Sequence, residues 1–175
     1  MILRKVHPMR LLALGLLLAC TAAAAEEATF SVRYLTPETA LTLAQAAMQS
    51  CRKQGFPVAV AVTDRSGIVQ VLLRDRFAGP HTIETAIGKA WTAASFRVNT
   101  LALMETTAPN KPGSGIRHLP RVVAIAGGVL IEAQGSILGA VGVSGAPCGV
   151  DGACGTSDDD CAKAGIKAIA ERLEF

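Results

Sequence analysis

The chain has 175 residues, half of them hydrophobic, with 17 lysines and arginines, 14 acidic residues and a formal net charge of +3. Three of the basic residues (Arg4, Lys5 and Arg10) and none of the acidic ones lie in the first 25 positions, so the remainder carries 14 of each. That balance argues against a nucleic-acid binder, which needs a clustered positive surface. The roughly 150 residues after position 25 suit one domain with a sizeable core.

The chain opens on a basic head, continues through the apolar run Leu11 to Ala19, and reaches small residues at Ala22 to Ala25 before Glu26. This is the pattern of a cleaved signal peptide over residues 1–25, with residues 26–175 as the working domain. The stretch is shorter than the roughly 20 apolar residues of a membrane span, so the mature chain is expected to carry no transmembrane segment. A periplasmic or secreted location follows. Leu17-Leu18-Ala19-Cys20 resembles a lipobox, which leaves lipid anchoring at Cys20 as an alternative to soluble release.

Thr36-Pro37 reads as a helix start, a hydroxyl cap followed by a proline whose missing N–H costs nothing. Leu41, Ala44, Ala47, Met48 and Cys51 follow at helical spacing, and Gly55 with Pro57 ends the run. Val58 to Thr63, the turn Asp64-Arg65-Ser66-Gly67 and Ile68 to Leu73 form a predicted hairpin. A loop over residues 74–80 leads to a helix from Thr82 to Phe96 with an apolar face of Ile83, Ala86, Ile87, Ala90 and Ala94. A short helix, Thr100 to Thr106, precedes a Pro/Gly-rich stretch, either a solvated connector or a ligand-facing loop. Val122 to Ala126, Val129 to Ala133 and Ile137 to Val143 read as three strands with short Gly-containing connections, hence antiparallel neighbours. Ser157 is the expected cap of a last helix, with Asp160 completing a capping box. The order predicts an α+β domain, an antiparallel sheet of about five strands with flanking helices, of the profilin- or PAS-like kind.

Cys51, Cys148, Cys154 and Cys161 lie beyond the leader. An oxidising compartment favours a local Cys148–Cys154 disulfide; zinc would want tighter spacing and a second ligand pair. Cys51 and Cys161 read as small buried residues on helices.

No G-x-S-x-G, P-loop, H-E-x-x-H or G-x-G-x-x-G motif is present. Gly139-Ala140-Val141-Gly142-Val143 continues a strand, so close backbone approach explains its glycines better than phosphate binding does. His81 and His118 are the histidines beyond the leader and the candidate metal ligands. The positive end of a helix at His81 favours a neutral, metal-ligating ring. Arg74 and Arg76 flank one histidine, and Lys111, Arg117 and Arg121 the other; Arg76 and Arg117 are the candidate partners for anionic groups. Asp151, Asp158, Asp159 and Asp160 lack EF-hand spacing, and capping is the expected role of the last three.

The run Gly139 to Pro147 with Asp160-Cys161-Ala162-Lys163-Ala164-Gly165-Ile166 resembles the C-terminal signature of the GlcG/HbpS haem-binding family. Ala59 to Asp64 with Gly67 is similar to that family's first hairpin, Lys89-Ala90-Trp91-Thr92-Ala93 to its K-A-x-T-A helix, and Gly127-Gly128-Val129 to the start of a later strand. The similarity runs over about residues 36–172, with departures at Val129-Leu130-Ile131, where a proline is usual, and in the longer Cys148–Cys154 loop. The resemblance implies a five-stranded antiparallel sheet, a homo-oligomer, haem as cofactor, peroxide-dependent haem degradation or haem and redox sensing, and a sensor-kinase partner. The alternative is a non-enzymatic sensory or assembly module for an organic acid or a corrinoid. A hydrolase would need a nucleophile–base pair that the sequence does not offer.

Overall fold

Alternation of side-chain size, more than of polarity, organises the sheet. Residues 58–62 read Val-Ala-Val-Ala-Val, and because strand side chains alternate between faces, the valines go to one side and the alanines to the other. In the computed structural model, which describes residues 27–148 and 154–174, Val58, Val60 and Val62 join one apolar cluster, and Ala59 and Ala61 a second. Residues 32–175 form one compact unit; the expected leader, with Cys20, lies outside the described residues.

The elements in chain order are α1 (Pro37–Lys53), β1 (Ala59–Asp64), β2 (Val69–Arg74), α2 (His81–Phe96), α3 (Thr100–Thr106), a 3-10 segment (Pro112–His118), β3 (Gly128–Ala133), β4 (Ser136–Ser144), α4 (Thr156–Lys167) and a closing 3-10 turn (Ala170–Leu173). The four strands form an antiparallel sheet in the order β2-β1-β4-β3. Helices α1 and α4 cover the bulky face over Val60, Val62, Val129, Ile131, Val141 and Val143. Helix α2 covers the small face over Ala59, Ala61 and Ala140.

Small residues let α2 approach the sheet at backbone distance. A Cβ on Gly142 would run into the Ala86 carbonyl oxygen and lie 2.7 Å from the Ala90 nitrogen. The glycines of β4 therefore mark close approach, as their placement within a strand predicts. At the opposite face, α1 and α4 are joined by a Cys51–Cys161 disulfide spanning 110 residues of sequence. Each cysteine is buried, as expected, but they bond to each other, a pairing that only the fold brings about. Cys148 and Cys154 also stand at disulfide distance, as their spacing suggests.

The expected fifth strand, Val122 to Ala126, does not form. The Val123 amide donates to Thr92 Oγ1 of α2, 2.9 Å away, instead of to a strand, and Arg121 (φ 69°) and Gly127 (φ 113°) bend the chain on either side. The β3 edge it might have joined is occupied: Asn99 Oδ1 accepts from the Leu130 amide and Thr100 Oγ1 from the Gly128 amide. Two smaller expectations change as well. Leu41 is 39% exposed and the buried stripe of α1 runs Ala40, Leu43, Ala44, Ala47, Met48, Cys51. Helix α4 starts at Thr156 behind Gly155 in a left-handed conformation (φ 87°), so Ser157 lies inside the helix and makes no cap.

Gly142→Ala is expected to lower the unfolding free energy by about 1–3 kcal/mol through overpacking. Gly115→Ala, whose added carbon meets nothing within 4 Å, should stay within about 0.5 kcal/mol of the parent. Urea unfolding of the two variants checks this.

Candidate functional site

The loop that presents His81 is held by its own hydrogen bonds. Arg74 donates from Nε and Nη2 to the Ala78 carbonyl at 3.0 and 2.6 Å, and Thr82 Oγ1 donates to the Gly79 carbonyl at 2.6 Å. Asp75, buried at the start of this loop, pairs with Arg52 Nε of α1 at 2.5 Å. The Arg52 guanidinium holds the Asp75 carboxyl below the usual carboxylate range, with the amides of Arg76 and Phe77 acting in the same direction. His81 is then the first residue of α2, exposed, with its ring folded back over Gly79. Beside it in sequence, Arg76 stacks over the Phe77 ring at 5.9 Å, and that ring is 80% exposed.

His118 closes the 3-10 segment Pro112–His118 and is also exposed. Its neighbour Arg117 is turned inward: Nε donates to the Thr107 carbonyl at 2.6 Å and Thr107 Oγ1 at 3.1 Å, and Nη2 to the Met104 carbonyl at 2.7 Å. Arg117 thus satisfies carbonyls at the C-terminal end of α3, the ordinary need of a helix end, and two of its three nitrogens are committed there. Further on, Arg121 lies 4.7 Å over the Trp91 ring of α2. The structure places the two histidines on separate elements, His81 at the start of α2 and His118 at the end of the 3-10 segment, with no hydrogen bond between them. Clefts of about 230 to 500 Å³ indent the surface, and other residues line them. Among the described residues no group of three or more His, Cys, Asp or Glu side chains could cage a metal ion.

Sequence reasoning missed the most deeply buried charges. Lys89 of α2 is 2% exposed; its Nζ donates to Asp158 Oδ2 at 2.8 Å and to the Val143 carbonyl at 2.9 Å. Asp158 Oδ1 accepts from the Ala146 amide at 3.0 Å. Burial pushes the Lys89 amine down and the Asp158 carboxyl up, each opposed by the other's charge. Neither group lines one of the clefts described above, and the bonds of the pair hold α2, the end of β4 and α4 together. Asp158 is not a simple cap, and Asp159, also buried, pairs with Lys163 at 2.7 Å. The available signal was a lysine sitting among Ala86, Ala90 and Ala93, where a charge is out of place unless it has a partner.

Removing one member of such a pair strands a buried charge. Lys89→Met and Asp158→Asn should each cost about 3–5 kcal/mol, and the double variant should recover most of that loss, as read by urea unfolding. Stability from Asp75 is complete above the unfolded carboxylate value of about 4 and is lost as pH falls through the lower folded value. The gap in thermal midpoint between the parent and Arg52→Gln should therefore be widest near neutrality and close in acid.

With this geometry in view, comparison with known proteins gives a consistent answer. A family model described as haem-degrading protein, HbpS-like, matches residues 35–167. The corrinoid adenosyltransferase PduO of Salmonella typhimurium is 30% identical over 129 residues, which are 73% of this chain and 36% of that protein. The chain therefore spans about a third of that relative's length. A crystal structure of a double mutant of HbpS from Streptomyces reticuli superposes with a TM-score of 0.73 at 33% identity, covering 86% of this chain and 98% of the other. The crystal structure of a PduOC–haem complex gives a TM-score of 0.70 at 30% identity, covering 78% of this chain and 95% of that one.

Proposed function

The chain belongs to the HbpS-like family of haem-degrading proteins, and from that premise we propose that it is an exported haem-binding protein. The observation that carries the reading is its 30% identity, over 78% of its length, to a protein whose structure is a haem complex. The donor set on this chain fits the group. His81 and His118 are exposed imidazoles able to ligate iron, and Arg76 offers an exposed guanidinium for a propionate beside the open Phe77 ring.

Bound haem would supply the iron chemistry with peroxide. The protein's own part is to hold and orient the group. The wired loop at residues 74–82 fixes where His81 stands, and Arg117, by tying the 3-10 segment to α3, fixes where His118 stands. Neither histidine lines one of the clefts described above; in the homo-oligomer that the family resemblance implies, a second copy of the chain would enclose the porphyrin. Export is supported by two cysteine pairs at disulfide distance, a usage suited to an oxidising compartment.

Titration with hemin tests the reading. A Soret band is expected to saturate in the parent protein, and His81→Ala or His118→Ala should shift it or weaken binding. A band untouched by both substitutions removes these histidines as ligands. Absence of any band, with stabilisation by a corrinoid instead, overturns the haem reading.

A further inference from the structure

At the end of the sheet where α2 finishes, two hairpin turns and the helix terminus enclose a cleft of about 260 Å³ lined by Arg65, Ala94, Arg97, Gly135, Ser136 and Ile137. Arg65 comes from the β1–β2 turn, Arg97 from the end of α2, Gly135 from the β3–β4 turn and Ser136 from the start of β4. Among the described residues neither guanidinium has a hydrogen bond or an ion pair. Asp64, the acid next to Arg65 in the chain, accepts at Oδ1 from the amides of Ser66 and Ile68 at 2.8 and 3.0 Å, inside its own turn.

Arg97 is held by the backbone in an unusual way. It sits at φ 55°, ψ 40°, and both its amide and that of Val98 point at the Ala93 carbonyl. This is the left-handed position that closes many helices and is usually glycine, because a Cβ is strained there. An arginine at this position accepts that strain and places a cation beside the cleft. Complementing the helix dipole accounts for one positive charge at this end, but not for a second, Arg65, arriving from a different hairpin.

We propose that this cleft is a binding site for a small organic dianion, a short dicarboxylate, independent of the haem reading. Two guanidinium groups entering from separate turns can each take one carboxylate in a charge-assisted pair. Ala94 and Ile137 supply an apolar lining for a short aliphatic middle, and the Ser136 hydroxyl is a further donor. The site lies at the C-terminal end of α2, whereas His81 begins that helix.

The test uses the purified protein at low ionic strength with succinate, butyrate and inorganic phosphate as probes, followed by amide chemical shifts and calorimetry. Succinate should shift the amides of Arg65, Arg97, Gly135 and Ser136, and its affinity should fall as salt is added. Butyrate should bind at least about tenfold more weakly, for want of the second charge-assisted pair. Arg65→Gln and Arg97→Gly should each weaken succinate by about tenfold or more on the same reasoning. Arg97→Gly places the residue best suited to this backbone, so it should fold at least as stably as the parent. Absence of shifts with succinate, affinity unchanged in both variants, or phosphate binding tighter than succinate overturns the proposal. The Soret band of the variants with hemin should match the parent's, and its loss would make the cleft part of the haem site and sink the second-site assignment. Succinate binding by a protein that shows no Soret band would fail the haem reading and leave this site standing.

Discussion

Helix α2 sits on its sheet without room for a methyl group at Gly142, and most of the molecule is arranged around that contact. The alanines of β1 and β4 make the approach possible, and Lys89, reaching through the same interface to Asp158 and the Val143 carbonyl, holds the helix there. A buried ion pair of this kind adds little net stability over an apolar pair of the same size. Its bonds are directional, however, and a smooth surface of alanine and glycine specifies no single rotation or shift of the helix. Asp158 reads out position on the far side: it opens α4 and accepts from the Ala146 amide just past β4, so one side chain ties three elements together.

The two faces of the sheet are stabilised by different means. The valine- and isoleucine-rich face under α1 and α4 has conventional side-chain packing, reinforced by a covalent link between its two helices. A cross-link closing so long a loop acts chiefly by restricting the unfolded chain. The α2 face buries less side-chain volume and depends on close packing of backbone and on the ion pair. At one sheet edge Asn99 and Thr100 satisfy outward amides of β3, while β2 at the other edge is half exposed, with Ile68, just before it, 66% exposed.

Both proposed sites are built on α2. Its first residue is His81, its last turn leads into Arg97, and Trp91 and Thr92 hold the segment that follows His118. If both proposals hold, a rigid helix bearing functional groups at its two ends would keep two ligands apart while anchoring both to the same core.

The hairpin turn, the capped start of α1, the bounds of α3 and the close approach along β4 were legible in the sequence. Each rests on local chemistry: a hydroxyl before proline, Asp and Gly in a turn, glycine within an apolar strand. The fifth strand was not, because Val122 to Ala126 has strand-like composition but meets a threonine of α2 at one amide and finds the neighbouring edge already filled. Nor was the Cys51–Cys161 bond, whose partners are 110 residues apart. Lys89 and Asp158 could be read individually, one as a motif residue and one as a cap, but not as a pair. Composition and local pattern by themselves determined the α+β class and the residues with ligating chemistry, and the ordered motifs carried the family resemblance. Only the tertiary structure decided which charges are paired, which expected strand does not form and which arginines line a cleft without a partner among the described residues. Those outcomes depend on contacts between distant segments, and local sequence carries no term for them.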